Sequence, residues 1–411
     1  MNKTITKLLT LLAIVTLTLV SCEKEEKSYL GSIMVQLQQN ASYPDVSIEN
    51  VEVTITNTSD NIQRTQSTNA TGSVEFQDIP VGIYTIETSI EITLSLTLNG
   101  VAQSVSLEPN EIKNVSLPLE ESIASDNFVI KEVFFAGKKD YEQKDRFFEI
   151  FNNSSETLYA DGLHFADLAG NTGSDANDEV LDLPLEQYCY ATRVAKIPGT
   201  GTTYPVEPGQ SIVIAFDAIN FKENFNPNNW AGLTLEDYLD LSTADFEMYA
   251  FPFLESKGFT GNSFFDIDNP SVPNVDILYM YNASNNAFFR LNDYGPGLIL
   301  FRPETTLDVE NTILSPSSTP TNQIYYLKIP VKNIIDGVDI LDNSSAAAFK
   351  RMNSKVDVGF AYLKADGGAF YSGMSLRRKQ ESTQGSRTIL KDTNNSSNDF
   401  EAIERPTPRN Y

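Results

Sequence analysis

The sequence predicts an all-β protein made of two β-sandwiches, and three observations lead to this prediction. Apolar and polar residues alternate in short runs from about residue 30 to residue 119, as expected of half-buried antiparallel strands. Strand-like runs resume at Asn127 and continue towards the C terminus. The chain has two cysteines, Cys22 and Cys189, so it has no disulfide framework and apolar burial must stabilise the fold.

Residues 1–21 are interpreted as a lipoprotein signal peptide. An apolar stretch from about residue 8 to residue 20 is too short to span a bilayer, and it ends in Leu19-Val20-Ser21-Cys22. This motif resembles the lipobox of bacterial lipoproteins, in which the cysteine is acylated and the chain is cut before it. The resemblance implies that Cys22 carries acyl chains such as palmitate. The alternative is a secretory signal with an accidental cysteine.

Residues 22–29 form a charged tether that begins Cys22-Glu23-Lys24-Glu25-Glu26. Such a segment does not bury itself and keeps the folded part away from the membrane. Acidic residues directly after the cysteine resemble the export tag of Bacteroidota lipoproteins. The resemblance implies an outer-membrane, lipid-anchored protein that faces the cell exterior. A periplasmic location, with the tether acting only as a spacer, remains open.

Composition excludes several function classes. Asp and Glu number 55 against 30 Lys and Arg, which gives a net charge of −25, so nucleic acid is not an expected partner. His164 is the only histidine, which excludes a zinc site with several histidines. Cys189 lies between two tyrosines and is interpreted as a buried apolar residue rather than a nucleophile. Catalysis by a pair of carboxylates remains possible.

The first sandwich is expected over residues 30–119. Residues 68–76, followed by residues 79–84, are predicted to join two strands through turns at Gly72 and Gly82. The glycine turn, the aromatic strand end and the Pro-x-Gly-x-Tyr pattern resemble carboxypeptidase-regulatory-like, or transthyretin-like, domains. The resemblance implies a β-sandwich that acts as a spacer and indicates little about function.

The second sandwich is expected over residues 127–411, after a linker at 120–126. Its opening strands, at 128–135 and 146–151, and a turn at 152–155 resemble the lamin-tail type of immunoglobulin-like domain. Later segments resemble the same family in the same order, and they lie at 207–215, 334–339, 375–378 and 392–408. The chain departs from that family by long insertions at about 167–206 and 217–296. The whole layout is similar to an uncharacterised group of Bacteroidota lipoproteins encoded near TonB-dependent receptors.

The insertion at 217–296 is the expected location of function, because sandwiches place recognition in their loops and additions. Sixteen of its 80 residues are aromatic. Trp230, Tyr279 and Tyr281 are candidate binding residues. The alternatives are that Trp230 anchors the insertion to the sandwich and that the two tyrosines pack in the core. Thr234, followed by acidic residues, predicts a short helix near residues 235–241.

Calcium is a possible ligand of two acidic segments. Asp266, Asp268 and Asp276 are candidate metal ligands, and residues 175–179 form a second acidic group. Neither segment follows the spacing of a known calcium loop, so a solvated acidic turn is the alternative in both places.

Three functional hypotheses follow. The first is a non-catalytic surface lipoprotein that acts as an accessory or binding subunit of an outer-membrane β-barrel complex, such as a TonB-dependent transporter. The second is a free-standing adhesin that binds glycan or matrix. The third is a hydrolase that uses two carboxylates within the insertion. The order of anchor, spacer, sandwich and aromatic insertion favours the first.

Overall fold

The computed structural model of the protein describes residues 29–93, 96–123, 127–138, 145–173, 179–228, 232–262, 266–285 and 288–410. Cys22, the signal peptide, the tether up to residue 28 and Trp230 lie outside these ranges. Within them, strands dominate and the helices are short, which confirms the predicted all-β fold.

Two sheets are built from the chain between residues 30 and 123. Their strands are β1 (Leu30–Gln38), β2 (Glu52–Asn57), β3 (Gln63–Ser67), β4 (Ser73–Pro80), β5 (Gly82–Thr93), β6 (Leu96–Leu107), β7 (Ile112–Pro118) and β8 (Glu120–Ile123). One sheet has the order β4-β1-β7 and the other the order β3-β2-β5-β6-β8. Residues 120–123 were predicted to belong to a linker, but they form β8 and pair with β6.

The core of this first sandwich follows from the alternation in its strands. Ile33, Val35 and Leu37 of β1 are buried, while the residues between them are partly exposed. They pack against a shared cluster that includes Phe76. The predicted turn at Gly72 has a φ of +75°, a conformation that glycine adopts without steric cost.

The remaining described residues contribute strands β9 to β25, two short α-helices and several 3-10 turns. The strands are β9 (Phe128–Phe134), β10 (Phe147–Asn152), β11 (Leu158–Tyr159), β12 (His164–Leu168), β13 (Tyr188–Lys196), β14 (Pro205–Val206), β15 (Ser211–Ala215), β16 (Phe246–Glu247), β17 (Asp276–Met280), β18 (Gly297–Phe301), β19 (Thr312–Leu314), β20 (Tyr325–Pro330), β21 (Ile334–Asp339), β22 (Ser375–Arg378), β23 (Gln380–Gln384), β24 (Arg387–Leu390) and β25 (Phe400–Ile403). The helices are α1 (Phe251–Ser256) and α2 (Ser396–Asp399). The 3-10 turns are Glu179–Asp182, Phe221–Asn224, Leu235–Asp237, Ala283–Asn285, Val331–Asn333 and Ala347–Phe349.

Two large sheets form the second sandwich. The six-stranded sheet has the order β16-β15-β10-β9-β22-β25. The seven-stranded sheet has the order β19-β20-β13-β12-β18-β21, with β17 also paired to β13. Every residue of β9, β10, β12 and β18 is buried, because further chain covers the outer faces of the sheets. Phe148 of β10 and Phe165 of β12 meet between the sheets, with their ring centroids 4.9 Å apart.

The two predicted insertions contribute strands to these sheets. The stretch at 167–206 contains β13, which pairs with β12, β17 and β20. The stretch at 217–296 contains β16 and β17, and its residues Phe221 and Tyr238 pack over Phe134 and Phe147 of the six-stranded sheet. Neither stretch is therefore only a surface addition, since each one pairs with and covers strands of the sandwich.

Helical structure in the second stretch differs from the prediction. The capping pattern forms, because the Thr234 backbone N–H and hydroxyl both donate to Asp237 Oδ2, at 2.8 and 2.9 Å. The turn that follows ends at Asp237 rather than at residue 241. The longer helix is α1, which has a proline in its first turn. No helix within the described ranges has the length and apolar character that a membrane crossing requires.

A buried arginine connects the two large sheets. Arg378 of β22 donates from Nη2 to both carboxylate oxygens of Asp336 on β21, at 2.8 and 2.7 Å, and from Nε to the Ile130 carbonyl on β9, at 2.8 Å. It also donates to Asp392 at 3.1 Å, and Asp399 lies 3.6 Å away. All three carboxylates belong to segments that were predicted to be late parts of the sandwich, so this arginine holds the closing segment against the core.

Polar contacts join the two sandwiches. Gln103 of β6 forms two hydrogen bonds with the backbone of Phe360, donating to its carbonyl at 3.1 Å and accepting from its N–H at 2.8 Å. Asn99 and Ser122 each donate to the Thr393 carbonyl at 2.7 Å. Because these bonds come from three strand positions on one sheet, they fix the first sandwich against the loops of the second.

Candidate functional site

The described chain contains a polar cleft of about 470 Å³ at one end of the seven-stranded sheet. It lies where β12 ends beside β13, and the chain between β17 and β18 closes it. The residues that define this polar cleft are Asp167, Arg193, Tyr281, Arg290, Asn292 and Tyr294. Of the residues proposed from sequence for binding, Tyr281 lies in it.

The floor of the polar cleft is an ion pair between neighbouring strands. Asp167 of β12 and Arg193 of β13 are direct cross-strand partners, and a β-bulge follows Asp167. Arg193 Nη1 lies 3.4 Å from Asp167 Oδ2, and both side chains are more than nine-tenths buried. Arg193 Nε and Asp167 Oδ1 have no hydrogen-bond partner among the described residues. A buried polar atom without a partner costs about 1–3 kcal/mol, so this floor is not optimised for stability.

The charges of the cleft walls balance. Burial raises the pKa of Asp167 to about 6, and the positive charges of Arg193 and Arg351 oppose this rise. Arg290 lies 3.6 Å from Asp293, whose other carboxylate oxygen lies 2.5 Å from Arg146. Two arginines and two aspartates are the charged residues that line the cleft, so it is locally neutral near pH 7 in a chain of net charge −25.

An aromatic stack adjoins the polar cleft and consists of Tyr294, Phe370 and Tyr371. The Tyr294 and Phe370 rings are stacked with centroids 5.1 Å apart, and the Phe370 and Tyr371 centroids are 3.7 Å apart. Tyr294 is 51% exposed and Tyr371 39% exposed. Because Tyr294 also lines the cleft, the cleft and the stack form one continuous surface.

Tyr371 has a strained backbone conformation that the surrounding structure maintains. Its φ is +62°, and a bulky residue in the left-handed region costs on the order of 1–3 kcal/mol. The loop that carries it is hydrogen-bonded at both ends, from Ser344 to the Ala365 carbonyl at 2.9 Å and from Gly373 to the Ala136 carbonyl at 2.8 Å. A strained conformation that exposes an aromatic ring is typical of a binding surface.

Sequence reasoning missed Asp167, Arg193 and the aromatic stack. The pattern that identifies the first two is a charged residue inside a largely apolar strand, Asp167 in β12 and Arg193 in β13. The stack has no comparable pattern, because Tyr294 and Tyr371 are 77 positions apart and only the fold brings them together.

Tyr279, another aromatic candidate, makes its contacts within the fold. Its hydroxyl donates to the Tyr325 carbonyl at 2.8 Å, and burial raises its pKa to about 12. It therefore joins β17 to β20, and its ring packs partly buried against a core cluster, in agreement with the core-packing alternative. Tyr281 lies over Arg193, with 5.5 Å between the ring centroid and the guanidinium carbon. The third candidate, Trp230, lies outside the described residues.

The three candidate metal ligands are not brought together. Asp266 accepts the Ala250 N–H at 3.0 Å, Asp268 accepts the Asn274 amide at 3.0 Å, and Asp276 lies 3.2 Å from Lys196. Within the described ranges, no group of three histidine, cysteine or acidic residues is arranged to hold a metal ion. Residues 175–178 of the second acidic group lie outside those ranges.

His164 and Cys189 are both buried away from the polar cleft. Burial raises the pKa of the Cys189 thiol to about 12, which agrees with its interpretation as an apolar core residue. Burial also lowers the pKa of His164 to about 4, and nearby Lys196 and Arg302 act in the same direction. Its Nδ1 lies 2.8 Å from the Gly162 carbonyl, and since a carbonyl only accepts, Nδ1 carries the proton.

Replacing His164 with asparagine should remove a pH-dependent loss of stability. Between about pH 6.5 and pH 4 the unfolded chain binds a proton that the folded chain does not, so this histidine makes the protein less stable as the pH falls. We expect the melting temperature of the wild type to fall more than that of the His164→Asn variant between about pH 7 and pH 5. If calorimetry shows equal decreases in the melting temperatures of the wild type and the variant, the result would contradict the burial of a neutral imidazole.

Comparison with known proteins finds a match to one family model over part of the chain. Residues 207–407 match the model of a family described as a protein of unknown function, DUF4876. A DUF4876 family protein from Bacteroides thetaiotaomicron has a similar crystal structure, with a TM-score of 0.55, 24% sequence identity and coverage of 92% of this chain and 97% of that one. No curated protein matches the chain.

Two further solved structures are much less similar. The TIE protein of Bacillus anthracis has a TM-score of 0.17 and 11% identity, and the match covers 46% of this chain and 28% of that one. A streptococcal ancillary pilin has a TM-score of 0.18 and 12% identity, with coverage of 45% and 53%. Neither carries an argument about function. The chain is thus similar to DUF4876, a family of unknown function, in sequence over 207–407 and in fold over nearly its whole length.

Proposed function

We propose that this protein is a non-catalytic surface lipoprotein that binds a ligand or partner as an accessory subunit of an outer-membrane β-barrel complex, such as a TonB-dependent transporter. The observation that carries the binding role is the continuous surface of polar cleft and aromatic stack. Acyl chains on Cys22 anchor the protein to the outer membrane, and the folded part faces the cell exterior. The barrel partner is inferred from the resemblance of the chain's layout to lipoproteins encoded near such receptors.

The construction of the cleft supports binding. Its floor lies on two central strands of a sheet whose neighbouring residues are buried, so the charged side chains are held in fixed positions. Phe370 and Tyr371 of the aromatic stack lie on a loop that is hydrogen-bonded at both ends. A rigid framework with exposed aromatic rings is suited to recognition, because little conformational entropy is lost on binding.

The state of the cleft carboxylates supports a role without catalysis. Asp167 is paired with Arg193, and Asp293 is paired with Arg146 and Arg290. General acid or base catalysis requires a carboxyl group that is free to exchange a proton with the reacting atoms, and both cleft carboxylates are instead paired with arginines. Cys189 is fully buried.

The start of the fold supports the anchoring. The first strand begins at Leu30, eight positions after Cys22. An extended segment of that length spans at most about 29 Å, so the tether of a lipid-anchored chain separates the first sandwich from the membrane surface by no more than that distance. The polar contacts of Gln103 and Asn99 then fix the second sandwich to the first.

Detergent extraction tests this proposal. A tagged full-length protein, expressed in its source bacterium and purified from outer membranes in mild detergent, should carry a β-barrel protein with it. The Cys22→Ala variant should be absent from the membrane fraction and from the complex, because a chain without acyl groups has no stable anchor. The Cys189→Ala variant is the matched control and should retain both.

Two results would contradict the proposal. One is wild-type protein that purifies from the outer membrane without any barrel. The other is a Cys22→Ala variant that remains in the membrane. If the protein is anchored but has no barrel partner, a free-standing adhesin becomes the better hypothesis, and the aromatic stack is the observation that favours it.

A further inference from the structure

We propose that the polar cleft and the aromatic stack together form a binding site for a neutral saccharide. The sugar hydroxyls contact the cleft, and a sugar ring packs on the stack. This inference rests on the proposed function of the protein as a binding protein, and it specifies the chemical class of the ligand.

Charge balance in the cleft favours an uncharged ligand. An anionic ligand would be attracted by Arg193 and Arg290 but repelled by Asp167 and Asp293, which line the same cleft. A cationic ligand would be attracted by the two aspartates but repelled by the two arginines. The net charge of −25 further disfavours polyanions.

The hydrogen-bonding groups favour a ligand rich in hydroxyls. Arg193 Nε is a buried donor and Asp167 Oδ1 a buried acceptor, and neither has a partner among the described residues. A hydroxyl group both donates and accepts, so sugar hydroxyls can satisfy a buried donor as well as a buried acceptor. The Tyr281 ring lies over the Arg193 guanidinium and lines the same cleft. Asn171 and Asn292 add amide groups, which also donate and accept.

The aromatic stack supplies the apolar half of the site. One face of a pyranose ring presents C–H groups, and these pack on exposed aromatic rings while the hydroxyls at the ring edge remain free for hydrogen bonds. Tyr294 contributes to both the cleft and the stack, so a saccharide of two or more units can contact both. The strain at Tyr371 agrees with this role, because its φ of +62° is maintained in a loop that glycine would fit better.

Entirely apolar ligands fit the site less well. Such a ligand would cover Arg193 and Arg290 without hydrogen-bonding them, and a buried charge without partners is costly. A saccharide is the class that satisfies the neutral polar cleft and the exposed aromatic rings together.

Isothermal titration calorimetry with the full chain tests the proposal. The neutral probes are the hexasaccharides maltohexaose, cellohexaose, mannohexaose and xylohexaose, and the anionic control is a galacturonic acid oligomer of the same length. We expect at least one neutral hexasaccharide to bind and the galacturonic acid oligomer to bind at least about tenfold more weakly.

Two variants and a matched control locate the site. Tyr294→Ala should weaken binding at least about tenfold. Tyr371→Gly should weaken binding similarly while keeping or raising the melting temperature, because glycine relieves the strained φ. Tyr159→Ala, at an aromatic that is 41% exposed and does not line the cleft, should bind as the wild type does.

The inference is overturned if no neutral hexasaccharide binds or if the galacturonic acid oligomer binds more tightly. It is also overturned if the Tyr294→Ala and Tyr371→Gly variants both retain wild-type affinity. Co-purification with a barrel is measured on the same Tyr294→Ala variant. A barrel complex without saccharide binding overturns only this inference. Saccharide binding without a barrel complex overturns only the proposed partner.

Discussion

Replacing Arg378 with alanine should lower the free energy of unfolding by about 3–5 kcal/mol, because it leaves buried carboxylates without their cationic partner. Arg378 is 1% exposed and is the shared partner of Asp336, Asp392 and Asp399. Its bonds to Asp336 of β21 reach from the six-stranded to the seven-stranded sheet, so its loss removes a direct contact between the two large sheets. Typical domains have only about 5–15 kcal/mol of stability, so a large fraction would be lost.

The effect of this substitution should depend on pH. Burial raises the pKa of Asp399 to about 7 and that of Asp336 to about 6, and Arg378 opposes both rises. Without the arginine these carboxyls are protonated more readily in the folded state. The folded variant then holds protons that the unfolded chain has lost, so its stability decreases as the pH rises. The deficit relative to the wild type should be larger at about pH 8 than at about pH 5.

Arg377→Ala is the matched control. Arg377 is adjacent to Arg378, but its partner Glu401 is 41% exposed at the side chain, so the pair is worth about 0–1 kcal/mol. Urea unfolding followed by circular dichroism measures both variants. Similar midpoints for Arg378→Ala and the wild type would show that the buried network does not connect the sheets.

Replacing Phe148 with alanine should lower the free energy of unfolding by about 3–5 kcal/mol, the usual range for removing a buried phenylalanine side chain. Its ring is fully buried and meets Phe165 edge to face, with the centroids 4.9 Å apart and the ring planes at 66°. Phe148 belongs to one large sheet and Phe165 to the other. The substitution therefore creates a cavity at the contact between the sheets.

A double-mutant cycle separates the ring contact from the loss of buried area. The double variant, with both Phe148→Ala and Phe165→Ala, should lose less free energy of unfolding than the two single variants lose in sum. The difference should be about 0.5–1.5 kcal/mol. Tyr159→Ala, at a 41% exposed ring, should change stability by less than about 0.5 kcal/mol. Strict additivity in urea unfolding would contradict a direct contact between the two rings.

These core contacts also determine the position of the candidate site. Phe165 and Asp167 are two positions apart in β12, and Arg193 lies opposite Asp167 in β13. The strand that contributes to the core therefore also supports the floor of the polar cleft. Variants of Phe165 are expected to affect ligand binding through this strand, whereas Tyr371→Gly acts only at the rim.

Local sequence patterns predicted the strands in which apolar and polar residues alternate. They did not predict the strands that are buried on both faces. In β1 the alternation of Ile33, Val35 and Leu37 with partly exposed residues is visible in the sequence. In β13 seven of nine residues are buried among neighbouring strands and covering chain, so no alternation marks the strand. A run of this kind at residues 188–196 was assigned to an insertion for that reason. The helix after Thr234 was predicted too long because its cap is local, whereas its end depends on packing.

The sequence alone determined the all-β class, the absence of a disulfide framework and the motif at Cys22, because each depends on residue type and short-range spacing. Tertiary structure decided which residues form the candidate site. Asp167, Arg193, Tyr294 and Tyr371 come from four separate segments, and pairing between strands and one strained loop bring them together. Sheet pairing joins residues that are far apart in the chain, and no local pattern specifies which strands will be neighbours.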